Sequence, residues 1–441
     1  MDINNAVKKS IENGFCDPKS IIDYLQKNGH SIHRVSLSRI LSQGVEDGWL
    51  VAEGHGKSRK YDLSGIEKIE KWLEKPTSER TTCGYRRSFL ENYIPNETKW
   101  FSEKQISKLE RAQPEIADVS TYSLNIAKKL MVDLSHASSA LEGNTYSWLE
   151  TEHLLLDGVV AEGKTEEETI MVLNHKNAVN FVTDLFSKNA LYPYEGPTSS
   201  LIRSIHALLS EGLIHNKDRG QIRKNIVGIG GSSYVPEGSP HILEETLNII
   251  CEKVQKINCP FESSLFLLVN IPYLQPFIDV NKRTGRLAAN LPLLAAGKAP
   301  LSFTGVSPDG YVKGLLGVYE LNDPSLIAKV YTEGYIKMAH HYSQGIQSSP
   351  EDIAFFAQFR NDIKLAIEQH GISWESGLTP TAEETVEKLY PENPQIAAFV
   401  VRYVESFAQN IAELDRYSTK AQEGLKKAKE HLKRGTIKFK R

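Results

Sequence analysis

The stretch LQPFIDVNKRTGRL, residues 274–287, restricts what this chain can fold into more than any other. It brings Asn281, Arg283 and Arg286 close together in the sequence. The preceding residues, ESSLFLLVNIPYL, predict an apolar helix, so the stretch is expected to join two helices in a buried core. Phosphate binding needs clustered backbone N–H groups, a helix N-terminus and nearby cations, and this stretch can supply all three.

The spacing within this loop favours a phosphate ligand with a metal. Arg283 and Arg286 lie three positions apart, so both guanidinium groups can project toward one end of a helix. Asp279 can hold a divalent metal, because Mg²⁺ favours one or two carboxylates together with substrate oxygens. A loop between two helices differs from the Walker loop and the dinucleotide fingerprint, which both follow a strand.

The length of 441 residues predicts two or three domains. A net charge of −3 and a pI near 6.5 exclude a globally basic nucleic-acid coat, so any such binding must be local. The start of the sequence has no apolar leader and no run approaches a membrane span, which predicts a cytoplasmic protein. The cysteines lack C-x-x-C spacing and clustered histidines, so neither a zinc site nor a disulfide framework is expected.

Residues 1–65 predict a winged helix-turn-helix-like domain. DPKSIIDYLQKNG predicts a helix that Asp17 caps and Gly29 ends, and a second helix is expected to stop at Gly44. GWLVAEGHGKSRKYDLS then reads as a hairpin with a basic tip. The DNA-binding candidates are Arg34, Ser36 and Arg39 on the second helix and Lys57 and Arg59 on the wing. The alternative is a module for protein contacts, since acids offset its bases.

The rest of the chain predicts a mainly α protein. Residues 66–119 are expected to be a connector, residues 120–345 a helical core, and residues 346–441 a C-terminal helical region with a basic tail. The tail is open to three interpretations, namely a solvated helix face, a nucleic-acid contact or a packing arm.

The phosphate loop resembles the motif of the Fic and Doc proteins, grouped as the Fido fold, which reads HPF-x-[DE]-GNGR-x-x-R. This chain reads QPFIDVNKRTGR from Gln275 to Arg286. The resemblance implies a Fido helical core. It also implies AMP transfer from ATP to a protein hydroxyl, although the Doc branch, which carries NKR as here, phosphorylates instead.

Two further segments resemble the same family. SSALEGN, with Ser138, Glu142 and Gly143, is similar to the inhibitory motif, in which the glutamate pairs with the second arginine, here Arg286, and blocks the ATP γ-phosphate. Residues 220–242 look like the flap, a short hairpin that pairs with a target segment; its tip is Ile229, Gly230 and Gly231.

Residue roles follow from the resemblance. Asp279 would bind Mg²⁺, Arg283 would hold α/β-phosphate oxygens, and Arg286 would hold the γ-phosphate or Glu142. Asn281 would hold the loop or contact phosphate. Simpler readings are a helix cap for Asn281 and a structural ion pair for Arg283. The implied nucleotide-binding set is Val280, Asn281, Lys282, Arg283, Thr284, Gly285 and Arg286, with Tyr311 near the adenine or else a plain core aromatic.

Three positions depart from the family motif. Gln275 occupies the position of the catalytic histidine, and an amide cannot remove a proton at neutral pH. Val280 and Lys282 replace glycines; valine would be strained at positive φ, so the loop is expected to differ in detail. Lys282 adds a cation that can contact polyphosphate. No substitute base is apparent, since His206, His215 and His241 lie outside the loop.

Three hypotheses remain. The first is a Fic-type nucleotide-binding protein, autoinhibited by Glu142, whose transfer to an unknown protein or to itself is weak, altered or absent. The second is a DNA-binding transcriptional regulator in which the Fido core is a non-enzymatic, nucleotide-responsive or dimerising scaffold. The third is a Doc-like kinase. A homodimer is expected in each case.

Overall fold

The computed structural model describes residues 3–113, 119–186, 194–344, 359–397, 400 and 418–433. Within these ranges the chain is mainly helical, as predicted. The helices are α1 (Ile3–Glu12), α2 (Pro18–Lys27), α3 (Arg34–Glu46), α4 (Gly65–Leu73), α5 (Arg87–Glu91), α6 (Glu103–Arg111), α7 (Val119–Ala140), α8 (Trp148–Asp157), α9 (Glu166–Asp184), α10 (Ser199–Leu209), α11 (Pro240–Lys256), α12 (Pro260–Leu274), α13 (Asn281–Ala288), α14 (Asn290–Ala295), α15 (Pro308–Leu321), α16 (Ser325–Gln344), α17 (Arg360–Glu375), α18 (Ala382–Leu389) and α19 (Thr419–Lys433). The strands are β1 (Leu50–Glu53), β2 (Lys60–Leu63), β3 (Cys83–Gly84) and β4 (Tyr234–Val235). None of the described helices combines the length and the apolar run that a bilayer crossing requires.

The chain forms two compact units. Unit 1 comprises Met1–Gly84, Gly228–Val235 and Asp309–Ala328. Unit 2 comprises Tyr85–Val227, Pro236–Pro308 and Lys329–Arg441. Unit 1 is therefore assembled from three separate stretches of sequence.

The first 63 residues of unit 1 share one core. Asp17 caps α2 by accepting hydrogen bonds from the backbone N–H groups of Lys19 and Ser20, each at 3.0 Å. β1 and β2 form an antiparallel pair that closes over the helices. The buried core residues are Ala6, Val7, Ile11, Ile21, Leu25, Leu37, Leu41, Leu50, Tyr61 and Leu63. Assignment of this region as a winged helix-turn-helix stays a prediction.

The predicted end of the second helix at Gly44 is wrong, because α3 continues to Glu46. Gly44 is buried inside the helix, and a Cβ atom there would lie 2.7 Å from ring carbons of Trp49. Glycine is thus required for close packing against Trp49, and this packing offsets its low helix propensity.

A buried carboxylate gathers the other parts of unit 1. Glu320 on α15 accepts hydrogen bonds from Trp72 Nε1 at 2.7 Å, Arg80 Nη1 at 2.9 Å and Ser232 Oγ at 2.7 Å. Its side chain is fully buried, so these donors replace water around the charge. α4, the segment that follows it and residues near the flap tip are thereby held together.

The hairpin predicted for the flap needs correction. Ile229 to Gly231 lie at a turn, in which the Ser232 N–H donates to Ile229 O at 3.3 Å. The strand that follows, β4, pairs in parallel with β3 and not with the preceding flap residues. Glycines at positions 228, 230 and 231 have no side chains to form cross-strand pairs, which weakens a hairpin.

Unit 2 is built around α12, whose residues Phe261–Leu274 are all buried. The helix ends at Gln275, which has φ 52° and donates its N–H to Ile271 O at 3.1 Å. Pro276 follows, and proline disfavours a helical conformation in the residue before it. The next helix, α13, therefore begins after a short loop, as the sequence predicted.

The C-terminal helices α17, α18 and α19 share a small apolar core that includes Ile363, Trp374, Val386 and Leu425. Lys364 on α17 forms a buried ion pair with Glu152 on α8 and lies 4.1 Å from the Trp148 ring centroid. The predicted basic tail is the stretch 425–441, of which residues 425–433 belong to α19. Residues 434–441 and most of the stretch 394–417 lie outside the described residues.

Candidate functional site

The loop between α12 and α13 is bounded by two residues in the left-handed region, Gln275 at φ 52° and Val280 at φ 61°. Val280 has the positive φ at which a valine was expected to be strained. A β-branched residue there costs about 1–3 kcal/mol. That the loop differs in detail from the family's stays a prediction. Val280 is only 2% exposed, and its carbonyl accepts the Thr284 N–H at 3.0 Å and the Thr284 hydroxyl at 2.8 Å. Burial and these bonds hold the strained backbone.

Asn281 fixes the inside of the loop. Its Oδ1 accepts the Phe277 N–H at 2.9 Å, and its Nδ2 donates to Phe277 O and to Gln275 Oε1, both at 2.9 Å. The side chain is 3% exposed. All of these partners belong to the loop itself, which matches the loop-holding role that was predicted as one alternative.

Gln275 is engaged at both ends of its amide. Besides accepting from Asn281, it donates from Nε2 to Pro272 O at 2.8 Å. A side chain held in this way is part of the loop scaffold. An amide is also too weak a base to take a proton from a hydroxyl at neutral pH.

Arg223 is a loop contact that the sequence did not reveal. Its Nε donates to Gln275 O at 2.6 Å, and its N–H donates to Pro276 O at 3.0 Å. Its guanidinium also donates to Asn225 O at 2.8 Å and to Glu237 O. Asn225 and Glu237 flank the flap tip in sequence, so one arginine connects both roots of the flap to the loop. Nothing in the spacing of GQIRKN marks it.

Arg283 is buried without full pairing. It is 6% exposed, and its Nη2 lies 3.9 Å from Asp279 Oδ2, too far for a hydrogen bond. Its Nη1 is buried and finds no hydrogen-bond acceptor within the described residues. Burial lowers the pKa of Arg283, because removal from water disfavours its charged form. A buried, partly unpartnered guanidinium is suited to an incoming anion.

Arg286 is paired with the end of α7. It donates from Nε to Ser138 Oγ at 2.8 Å and from Nη2 to Ser138 O at 2.9 Å and to Glu142 Oε1 at 2.7 Å. Lys282 Nζ lies 2.8 Å from the other Glu142 oxygen. The structure thus brings together the two predicted partners, Glu142 and Arg286, and adds Lys282 as a second cation on the same carboxylate.

The charge state of Glu142 follows from its neighbours. Burial acts to raise its pKa, but the positive charges of Arg286 and Lys282 outweigh burial and hold the pKa at about 2. Glu142 is therefore ionised at every pH near neutrality.

One buried histidine, His206, lies beside the loop. His206 stacks on Phe277 with ring centroids 3.9 Å apart, and its Nε2 lies 3.2 Å from Asp279 O. Its Nδ1 accepts the Gly220 N–H at 3.0 Å, so Nε2 carries the proton and donates to the carbonyl. Burial lowers its pKa to about 4. In sequence His206 lies outside the loop and its position could not be predicted; in the structure it borders the loop, and both of its nitrogens are occupied.

Other predicted residues have less direct positions. Gly285 allows α13 to approach α12, since a Cβ there would lie 2.9 Å from Pro272. Gly143 has φ 91° and ends the α7 region. Tyr311 and the flap tip, Ile229 to Gly231, belong to unit 1, where Tyr311 is 2% exposed; their nucleotide and target contacts stay predictions.

The DNA-binding candidates lie at the surface of unit 1. Arg34, Ser36 and Arg39 are exposed on α3. Arg59 is partly buried, 5.4 Å from the Tyr61 ring centroid. The side chain of Lys57 lies outside the described residues.

Together these contacts form a cluster of cationic side chains suited to an anion, and the carboxylate of Glu142 already pairs with part of it. Three cations, Lys282, Arg283 and Arg286, follow the N-terminus of α13, and the carboxylate of Glu142 takes up two of them. Asp279, near the end of the loop, has a side chain that is 69% exposed. No cluster of three metal-ligating side chains occurs in the described part of the chain, so a metal here would need ligand oxygens as well.

Sequence comparison agrees with this geometry. Residues 197–293, which contain the loop, match the family described as the Fic/DOC family. This stretch is a Fic/DOC family domain. Among curated proteins, the chain is 26% identical over 210 residues to "Protein adenylyltransferase Fic" of Nematostella vectensis, covering 46% of this chain and 47% of the relative. For the protein of the same name from Aedes aegypti the identity is 25% over 209 residues, covering 45% and 40%. The match thus spans about half of these relatives or less.

The solved structures with similarity to this chain include two that are described as Fic proteins. "Fic-1 (aa134 - 508)" from C. elegans is 21% identical, with a TM-score of 0.46, covering 59% of this chain and 72% of that one. A Fic family protein from Desulfovibrio desulfuricans G20 is 17% identical, with a TM-score of 0.48, covering 59% and 80%.

Proposed function

We propose that the protein binds ATP with Mg²⁺ through its Fic domain, is similar to protein adenylyltransferases, and is held inactive by Glu142. The observation that carries this proposal is the ion pair between Glu142 and Arg286, 2.7 Å long, next to the buried Arg283 with an unpartnered Nη1. A carboxylate that neutralises a preformed cluster of cationic side chains can prevent another anion from binding to the same cluster.

Each residue then has a defined part in binding. Arg283 holds the α/β-phosphate oxygens with the donor that is unpartnered in its buried position. Arg286 takes the γ-phosphate when Glu142 leaves it. Asp279 is the residue that would hold Mg²⁺, since its exposed carboxylate supplies one oxygen and the phosphates and water supply the others. Bound Mg²⁺ would neutralise phosphate charge.

Transfer chemistry is expected to be weak, altered or absent. AMP transfer requires a hydroxyl to attack the α-phosphorus and lose its proton, and Gln275 offers no base. General-base assistance is worth about a hundred- to ten-thousand-fold in rate, so binding can persist while transfer is slow. The acceptor would be an unknown protein or the chain itself.

The test measures binding and transfer separately. Calorimetry with ATP and Mg²⁺ compares the unmodified chain with Glu142→Ala and with Glu142→Ala combined with Arg283→Ala; we expect binding to strengthen in the first variant and to be lost in the second. The intact mass is then recorded after incubation with ATP, for Gln275 and for Gln275→His. A gain of one adenylate supports adenylyl transfer, and a gain of one phosphate supports the Doc-like kinase. Failure of every variant to bind ATP would refute the proposal.

A second function is supported by the surface of unit 1. Arg34, Ser36 and Arg39 are exposed on α3, next to the β1–β2 hairpin. Arginine and serine side chains on an exposed helix are those that contact phosphates and base edges in a major groove. We propose that this face binds DNA and that the Fic domain reports nucleotide binding in a transcriptional regulator.

Binding to a library of double-stranded DNA at two salt concentrations tests the second function. We expect affinity to fall steeply with salt and to be lost in Arg34→Ala combined with Arg39→Ala. The matched control is Arg86→Ala, which removes an exposed arginine from unit 2. No enrichment of any sequence at low salt, or equal loss in the control, would eliminate this function.

A further inference from the structure

Arg286 needs a rigid support to bind a phosphate, and its support is a hydroxyl. Ser138 binds Arg286 twice, accepting Nε–H at Oγ and Nη2–H at its carbonyl. Glu142 contacts the same guanidinium, but its side chain is 16% exposed while that of Arg286 is not exposed at all. Of the two partners, the partly exposed carboxylate is the one that a ligand can displace. The Ser138 contacts would remain.

The directions of the hydrogen bonds behind Ser138 can be assigned. His175 on α9 places Nδ1 2.9 Å from Met171 O and Nε2 2.9 Å from Ser138 Oγ, while Ser139 Oγ lies farther from Nδ1, at 3.4 Å. A carbonyl only accepts, so Nδ1 carries the proton and Nε2 is the acceptor. The Ser138 hydroxyl must therefore donate its single proton to His175. Its oxygen is then left with lone pairs for Arg286 alone.

His175 is suited to this position because it remains neutral. Its side chain is 1% exposed, and burial lowers its pKa to about 3. A neutral ring with Nδ1 protonated can only accept at Nε2, so the Ser138 hydroxyl cannot turn away from it without losing a buried hydrogen bond. A buried polar group that is left unpaired in this way is disfavoured.

We propose that His175 is a positioning residue for phosphate recognition, which fixes the Arg286 guanidinium through the Ser138 hydroxyl. The inference rests on the proposed function, because it assigns to Arg286 the outer phosphates of ATP. α9, which carries none of the motif residues, then contributes to the nucleotide site from behind. His175 itself touches no ligand.

If His175 positions Arg286, replacing His175 should weaken the binding of ATP more than the binding of AMP. AMP lacks the phosphates that Arg286 would contact, so loosening Arg286 should leave AMP binding unchanged. In a Glu142→Ala background, we expect His175→Leu to weaken ATP binding about tenfold and AMP binding less than about twofold. A general loss of structure would weaken both ligands alike.

A matched control and a rescue sharpen the experiment. His370 is another buried histidine bound to a hydroxyl, with Nδ1 3.0 Å from Thr385 Oγ1, and it lies among the C-terminal helices. His370→Leu should lower stability without changing the ratio of ATP to AMP affinity. His175→Gln retains an acceptor for the Ser138 hydroxyl and should restore most of the ATP affinity.

Calorimetric titrations of full-length variants with ATP and with AMP, both with Mg²⁺, give the result. If His175→Leu does not fold, Ser138→Ala compared with Ser138→Thr repeats the test on the intermediate group; only alanine should lower the ATP to AMP ratio. If the folded variants keep the ATP to AMP affinity ratio of the Glu142→Ala chain, and that chain binds ATP, the role of His175 is overturned while the proposed function stands. If the background chain binds neither nucleotide, the proposed function fails and this inference fails with it.

Discussion

Arg283 and Arg286 are three residues apart on one helix, and both are buried, yet their surroundings differ. Arg286 donates three hydrogen bonds to the end of α7, two to Ser138 and one to Glu142. Arg283 has only a distant carboxylate at 3.9 Å and one nitrogen without an acceptor in the described structure. One arginine is satisfied in the resting chain and the other is not.

The difference teaches that burial alone does not reveal what a charged residue contributes. A satisfied buried arginine contributes to stability, and removing it leaves a carboxylate without its partner. An unsatisfied one is a cost that the fold bears, and this cost is recovered when an anion binds. Stability and ligand affinity should therefore respond in different ways to the two side chains.

The largest effect tests this difference directly. Replacing Arg286 with leucine should lower the free energy of unfolding by about 3 kcal/mol, since Glu142 and Ser138 lose their common donor. Arg283→Leu should change it by less than about 1 kcal/mol, although it removes ATP binding. Urea denaturation of both variants measures this. Equal losses of stability would show that the comparison is wrong.

The next largest effect is expected from Glu142, the carboxylate that pairs with Arg286. Glu142→Ala should strengthen ATP binding by about tenfold, or ~1.4 kcal/mol, because a competing carboxylate is removed. Glu103→Ala is a matched control, since that glutamate is 93% exposed and pairs only loosely with Lys99 at 3.7 Å. ATP affinity that is unchanged in Glu142→Ala would mean that the acid does not compete with the nucleotide.

A smaller effect is expected from the second cation on Glu142. Lys282 is 40% exposed, and solvent weakens an ion pair of this kind to less than about 1 kcal/mol. A double-mutant cycle on Lys282 and Glu142 should give a smaller coupling energy than the cycle on Arg286 and Glu142. The opposite ranking would assign the main restraint on Glu142 to Lys282.

The smallest expected effect is from a change of pH between 8 and 5. The pKa of Glu142 is about 2, below its ordinary value of 4.5, so the ion pair gives its full stabilisation above pH 4.5 and loses it as the pH falls toward 2. The stability difference between the unmodified chain and Glu142→Gln should be constant from pH 8 to 5 and shrink below 4.5. A decline near pH 6 would assign the restraint to another group.

The sequence predicted the parts of the site that local patterns encode. The apolar run before Gln275 predicted the loop between two helices, and the resemblance of SSALEGN to the family's inhibitory motif predicted that Glu142 pairs with Arg286. Both signals lie within short continuous stretches of sequence. In the N-terminal region, the capped helix α2 was predicted in the same way, through Asp17.

Contacts between segments that are far apart in the sequence could not be predicted. Arg223, His175 and His206 lie on elements far from the loop in sequence, and lone residues of these types have no pattern that announces their contacts. The backbone conformation of Val280 could not be predicted for a different reason. Burial of its side chain holds a positive φ that the local preference of valine opposes. The pairing of β4 with β3 likewise joins segments about 150 positions apart, as Cys83 faces Tyr234.

The arrangement around Glu320 has a practical consequence for dissecting the chain. Because Trp72, Arg80 and Ser232 surround one carboxylate, no single cut separates the N-terminal module from the remainder with its interior intact. A shortened version that starts at Tyr85 would retain that acid while losing its indole and guanidinium donors. Expression trials should therefore pair such truncations with Glu320→Gln or Glu320→Leu, so that poor yield is not mistaken for a missing activity.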